Sequence, residues 1–251
     1  MPRRKLTPKT IEQKQFRVFN PEDIKQSVEI PIKPKPKLED LETVEKKGKK
    51  KTKKPKTEKT GKYILIITEK PQAADKIAAA LSQGTAEKKS DKGIPYYNLE
   101  RNNKKVTVAC AVGHLFSLAQ IKKTTGYPVF DIGWKPNFEV RKKDFTKKYY
   151  STIKKLAQDA SEIIIATDFD VEGEVIGYNI IRFIAEKKDA KRMKFSSLTA
   201  KELQDSFDKP LPTIEWGQAI AGETRHFLDW LYGINLSRAL MNAIKSAGKL
   251  E

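Results

Sequence analysis

Three carboxylates, Asp168, Asp170 and Glu172, fall at alternate positions directly after the apolar run Ile163-Ile-Ile165. A short unbroken run of β-branched residues is the pattern of a strand buried on both faces. After the acids the pattern turns helical, with Val175, Ile176, Asn179, Ile180 and Phe183 recurring on one face. Three acids therefore leave the carboxyl end of a buried strand, where open α/β sheets place their ligands. Carboxylates this close repel one another. A divalent cation relieves that repulsion, and Mg²⁺ suits it best: it takes oxygen ligands, commonly one or two carboxylates with substrate phosphates. The competing explanation is a solvated acidic turn at a helix N-terminus, where negative charge is favoured in any case.

A second unit repeats the layout. Lys62-Tyr-Ile-Leu-Ile-Ile-Thr68 reads as a buried strand, Glu69-Lys70-Pro71 as a turn, and Ala73, Ala74, Ile77, Ala78 and Leu81 as one helix face. Pro71 fits a first helical turn, where its missing N–H costs nothing, and Gln83-Gly84 is a closing signal. If the two strands are parallel neighbours, Glu69 meets the acids of 168–172 at one sheet edge. Segments 94–99 and 105–112 read as strands of a hairpin turning at Arg101-Asn-Asn-Lys104. Gly113-His114 follows the second, and His114 is either aimed into the cleft or a satisfied structural histidine. Residues 121–145 read as a loop, with Tyr127, Phe130 and Trp134 among basic residues. Those rings either stack on single-stranded DNA or pin the loop to the core, and pinning is favoured.

A helix is predicted over about 145–159 and a short strand over Met193–Leu198. Another helix opens at Thr199-Ala-Lys-Glu202, which has capping-box spacing, and Pro210 and Pro212 end it. From about 214 the pattern is helical, Trp216–Trp230 and then Leu231–Ile244, with Gly233 as a candidate break. Arg225 and Asp229, four apart, pair on one helix face. Phe227, Trp230, Leu231 and Ile234 form an apolar face there, either exposed for docking or packed back on the preceding unit.

The 251 residues carry a net charge of +18, with a sequence pI near 9.7. That excess points to a polyanionic partner, nucleic acid first and a membrane surface second. No apolar run approaches the eighteen or so residues of a membrane span, and no signal peptide is present, so a cytoplasmic location is expected. Residues 1–60 hold 19 Lys/Arg against 9 Asp/Glu and seven of the 13 prolines. They read as a disordered basic arm that binds phosphates without sequence preference, with Gln15–Asn20 as a small apolar exception. One cysteine, Cys110, rules out an internal disulfide and reads as a small buried hydrophobe. Two histidines, His114 and His226, cannot build a histidine-based metal site alone.

The strand–Glu–helix unit with the Asp-x-Asp-x-Glu turn resembles the Toprim fold of topoisomerases and bacterial primases. Ile66-Ile-Thr-Glu-Lys-Pro, Val112-Gly-His-Leu115, Ala166-Thr-Asp-Phe-Asp-Val-Glu-Gly-Glu174 and Arg225-His-Phe-Leu-Asp-Trp-Leu-Tyr-Gly-Ile-Asn-Leu-Ser-Arg238 resemble, in order, successive blocks of an archaeal type IA DNA topoisomerase. The resemblance implies an α/β fold: a Toprim-type, Rossmann-like parallel sheet flanked by helices over 61–210, after the arm of 1–60. The start of a helical domain follows over 211–251. It implies that Glu69 handles the proton of the leaving 3′-hydroxyl and helps hold the metal, that Lys70 contacts phosphate, and that Asp168, Asp170 and Glu172 bind Mg²⁺. His114, Arg225 and Asp229 then lie near single-stranded DNA, in a nucleoid-associated protein. Val171 stands where bacterial members often carry arginine. The family's tyrosine nucleophile belongs to a later domain, and none of the eight tyrosines here has its context. The chain is therefore expected to be a fragment, or to act with a complementary chain that carries the tyrosine. The alternative is a Toprim-type metal-dependent nuclease or primase-like protein that needs no tyrosine.

Overall fold

The computed structural model describes residues 62–82, 85–141 and 144–248. The basic arm, the closing Gln83-Gly84 pair and residues 249–251 lie outside the described residues.

The apolar run after Lys62 forms β1 (Tyr63–Thr68), and the run before the acids forms β7 (Ala160–Ala166). Between them come α1 (Pro71–Ser82), β2 (Glu87–Asp91), β3 (Ile94–Arg101), β4 (Lys104–Cys110), β5 (Phe116–Gln120), β6 (Ile132–Pro136), α2 (Asn137–Val140) and α3 (Thr146–Asp159). After β7 come α4 (Val171–Phe183), β8 (Lys191–Arg192), α5 (Ala200–Asp208) and α6 (Trp216–Ser246). The main sheet runs β2-β3-β4-β1-β7-β8. Its centre is parallel, β4 to β1 to β7 to β8, and the β2–β3–β4 side is antiparallel.

Alternation along β1 divides the core. Leu65 and Ile67 face α3 and α4, packing with Ile153, Leu156, Ile176 and Ile180. Ile64 and Ile66 face α1 and α5, packing with Ala74, Ile77, Leu81, Leu203 and Phe207. Ile66, Ile67, Ile77 and Ile165 have no exposed surface; each such side chain stabilises the fold by about 1.5–3 kcal/mol through its burial. Cys110 is buried in the second layer, as its apolar neighbours require.

Several local expectations are revised. Residues 121–145 are not all loop, because β6 pairs antiparallel with β5 as a separate ribbon. Residues 193–198 contain no strand; the strand beside β7 is Lys191–Arg192, followed by one further bond from the Met193 amide to the Ile165 carbonyl. α5 starts where the capping-box spacing placed it, but Thr199 makes no side-chain cap. Glu202 instead accepts hydrogen bonds from the Ser196 and Ser197 amides, at 2.5 and 3.1 Å. Gly233 does not break α6, a single helix of 31 residues.

The face of α6 carrying Phe227, Trp230 and Leu231 is partly buried against Leu118, Val129 and Ile132 of the ribbon region. Docking by that face is thereby corrected to packing. The large apolar residues exposed on α6 are Ile220, Leu228, Tyr232, Leu236, Leu240 and Met241. Among the described residues, no helix is long and apolar enough to cross a membrane.

Candidate functional site

Register builds the site. Thr68 pairs with Cys110 on one side and Ala166 on the other, so β1, β4 and β7 end level. The residues that follow them, Glu69-Lys70, Ala111–His114 and Thr167–Asp170, emerge at one edge.

Lys70 Nζ lies 2.6 Å from Asp168 Oδ2 and 3.8 Å from Glu69 Oε1. Burial raises the Glu69 carboxyl above its ordinary value, and Asp168 raises it further, with Lys70 opposing and Asp170 adding to the rise. The hydrogen bond to Asp168 holds the Lys70 ammonium above its usual range. Asp170 is the N-cap of α4, its Oδ1 accepting from the Gly173 amide at 2.7 Å. Beside these residues lies a cleft of about 750 Å³ lined by Lys70, Asp168, Phe169, Asp170, Lys194 and Ser197, among others.

The acidic turn is held from beneath by a side chain to which the sequence reading assigned no role. Arg192 is fully buried; its Nε donates to Glu174 Oε1 at 2.6 Å. Its Nη1 donates to the carbonyls of Thr167 and Met193 and its Nη2 to that of Asp168, each at 2.8 Å. Burial raises the Glu174 carboxyl, while Arg192 pulls it down. In the sequence Arg192 is hidden among lysines; the signal is that Ala190 and Met193 flank it with apolar character. Gly173 is the second constraint. A Cβ there would lie 2.1 Å from the Asp168 carbonyl oxygen, so only glycine lets α4 start this close to the turn.

Glu172, the second residue of α4, points elsewhere. Its Oε2 is 3.1 Å from His114 Nε2 and 2.9 Å from His226 Nε2, and its Oε1 is 3.4 Å from Arg225 Nη1. Burial alone would raise this carboxyl, but the His226 hydrogen bond and the neighbouring positive groups bring it below its ordinary value. Burial lowers His114, helped by His226 and opposed by Glu172.

His114 reaches this point because the chain turns sharply after β4, with Val112 and Gly113 at φ +54° and +77°. Asn137 Nδ2 then anchors the His114 carbonyl at 2.7 Å. His226 and Arg225 reach it because α6 crosses close over α4. A Cβ at Gly222 would lie 2.4 Å from Val175 Cγ2 and 2.9 Å from the Val171 carbonyl oxygen. Arg225 Nε also pairs with Asp229 at 3.7 Å, as the four-residue spacing implied.

The structure thus groups Glu69, Lys70, Asp168 and Asp170, and sets Glu172, His114, Arg225 and His226 in a second group beside them. Among the described residues, the group of three His, Cys, Asp or Glu ligand atoms lying within 4.8 Å of one another is His114, Glu172 and His226. All eight tyrosines are described, and none hydrogen-bonds to either group.

The Toprim domain family matches residues 64–198. DNA topoisomerase 1 of Methanocaldococcus jannaschii is 53% identical over 187 residues, covering 74% of this chain and 24% of its own. DNA topoisomerase 1 of Pyrococcus horikoshii is 49% identical over 187 residues, covering 73% of this chain and 27% of its own. The chain therefore spans about a quarter of the length of these curated relatives. The solved structure of full-length topoisomerase I from Thermotoga maritima is 22% identical to this chain, covering 66% of this chain and 24% of that one, with a TM-score of 0.44.

Proposed function

The chain belongs to the Toprim domain family, and from that premise we propose that it is the metal-binding, DNA-phosphate-positioning part of a type IA DNA topoisomerase. The whole protein would relax negatively supercoiled DNA by cutting one strand and passing another through the gap. The observation that carries this reading is the level ending of β1 and β7, which sets Glu69-Lys70 against Asp168 and Asp170.

The donor set at that edge fits Mg²⁺. It consists of carboxylate oxygens, two of which the Lys70 ammonium bridges, at 2.6 Å from Asp168 and 3.8 Å from Glu69. Asp168 and Asp170 would hold the ion with Glu69 contributing, and phosphate oxygens would complete the shell. When bound, Mg²⁺ supplies neutralising charge to a phosphate under attack.

The chain's own groups do the remaining work. Lys70 is the cation that meets a phosphate entering the cleft, and Asp168 holds its ammonium at the edge. Glu69 has the raised affinity for a proton that a group passing one to a leaving 3′-oxygen needs. His114, Arg225 and Asp229 flank the path of a single strand across the same edge. In-line attack also requires a nucleophile aligned with the leaving oxygen. With no tyrosine at the edge, that nucleophile comes from elsewhere: a further domain or a complementary chain.

The test uses labelled single-stranded DNA and Mg²⁺. The chain should bind DNA and Mg²⁺ together, and the Asp168→Ala, Asp170→Ala double variant should lose the metal dependence. Denaturing electrophoresis should show neither cleavage nor a covalent adduct. Mg²⁺-dependent cleavage that leaves no adduct would overturn this reading in favour of a hydrolytic Toprim nuclease.

A further inference from the structure

We propose that His114, Glu172 and His226 form a second metal site, distinct from the carboxylate edge, for a borderline divalent ion of the Zn²⁺ class. The three ligands come from three elements that other contacts already fix: the turn after β4, the first turn of α4 and the body of α6. Their atoms converge. Both Nε2 atoms approach one oxygen, Oε2 of Glu172, at 3.1 and 2.9 Å. Adjacent ligands around a tetrahedral ion with bonds of about 2.0–2.2 Å are separated by about 3.3–3.6 Å, so these hydrogen-bonded pairs, whose three ligand atoms all lie within 4.8 Å of one another, need to open by only a few tenths of an ångström to share one shell. The rings are not stacked in parallel; their centroids are 5.3 Å apart and their planes meet at 66°, so both can aim at a common point.

The surroundings favour a partly open site. The three side chains are about one-third exposed, at 31%, 38% and 31%. A cavity of about 580 Å³ lined by His114, His226, Trp134, Asn137 and Asp229, among others, opens beside them. Water or a ligand could therefore fill a fourth position. The Trp134 ring lies against His226 at 5.5 Å between centroids and restricts its rotation. Arg225, 3.4 Å from Oε1, leaves Oε2 to the metal and helps fix the carboxylate plane.

Chemistry separates this site from the first. Two imidazoles and one carboxylate suit Zn²⁺, Co²⁺ or Ni²⁺, whereas Mg²⁺ prefers an all-oxygen shell. Binding needs both rings as Nδ1–H tautomers, and no covalent bond between heavy atoms changes. The two sites share the turn of residues 168–172 but no ligand atom.

The intact 251-residue chain provides a clean test, because it contains only these two histidines. Co²⁺ should bind at one equivalent with a visible ligand-field spectrum that Zn²⁺ abolishes and millimolar Mg²⁺ leaves in place. Zn²⁺ should shift the imidazole NMR signals of both histidines together. His226→Ala and His114→Ala should each weaken Co²⁺ binding by more than roughly tenfold. His226→Gln, of similar bulk, should weaken it equally, which separates ligand loss from misfolding. Asp168→Ala should bind Co²⁺ as the parent does, so failure of this proposal is distinct from failure of the Mg²⁺ reading. A parent chain without a saturable Co²⁺ spectrum, or a His226→Gln variant with an unchanged one, overturns the proposal.

Discussion

The Lys70 ammonium lies 2.6 Å from Asp168, across 98 residues of sequence, and takes up one of the two oxygens of that carboxylate. On the proposed function, lysine and a divalent cation would compete for Asp168 until a phosphate draws the lysine away. Lys70→Ala should tighten Mg²⁺ binding in the absence of DNA. Both partners are about half exposed, which limits the gain to roughly fivefold. The same variant should bind DNA more weakly. Calorimetry with and without a short single strand checks both signs, and weaker Mg²⁺ binding by the variant without DNA would refute the competition.

Gly173→Ala should damage the site more than its size suggests. The new methyl would meet the Asp168 carbonyl oxygen at 2.1 Å, so the turn or the helix start must move. Overpacking of this kind costs about 1–3 kcal/mol. Urea denaturation should show that loss together with weakened Mg²⁺ binding. Normal binding in a destabilised protein would mean that the acids tolerate the shift.

Arg192→Met should be among the most damaging single changes. It leaves Glu174 buried without its partner and frees the carbonyls of Thr167 and Asp168. Breaking a buried pair from one side costs about 3–5 kcal/mol. The Arg192→Met, Glu174→Met double variant should recover part of the stability but not the placement of the turn. Full recovery of Mg²⁺ binding in the double variant would show that the arginine is not what positions the acids.

Hydrogen bonds from Ser197 and Ser196 hold Glu202 down to about 2. A depressed carboxylate adds stability above its unfolded value, near 4.3, and that stability fades as pH falls through the folded value. The contribution should therefore be complete above about pH 5 and mostly gone by about pH 2. Thermal melts across that window should be flatter for Glu202→Gln than for the parent, and equal slopes would refute the assignment. The anchored Ser196 and Ser197 line the cleft beside Lys70, so the cleft wall should loosen in the same pH range.

Deletion of residues 1–60 should reduce the steepness with which DNA affinity falls as salt rises, because that segment carries ten of the eighteen net charges. An unchanged slope would show that the arm does not contact phosphates.

The main sheet's centre was legible because its signals are local. β1 and β7 are apolar runs, and α1 and α4 carry apolar residues at helical spacing. Parallel pairing of two similar units was enough to bring Glu69 towards Asp168. What escaped depends on partners distant in sequence. β2 reads Glu-Lys-Lys-Ser-Asp because one of its sides is the sheet's edge, so it shows no apolar alternation. β6 lay inside a stretch dominated by glycine and proline, and only its pairing with β5 makes it a strand. Gly233 looked like a break, but a helix with neighbours along its length tolerates a single glycine. The direction of Glu172 depends on where α6 crosses α4, which no spacing within the acidic turn encodes.

That crossing has a mechanical consequence. α6 is riveted at two points. At Gly222 its backbone is pressed against α4. At Asn235 its side chain clasps both the amide and the carbonyl of Val129, at 2.7 and 2.9 Å. The thirteen residue steps from one to the other span about 20 Å of helix, and Arg225 and His226 lie within that span. Contacts at both ends of that span oppose rolling and sliding of the helix. The ribbon of β5 and β6, the long helix and the first turn of α4 are thus braced into one frame, and a force on the ribbon would reach Glu172 as displacement rather than be absorbed as slack.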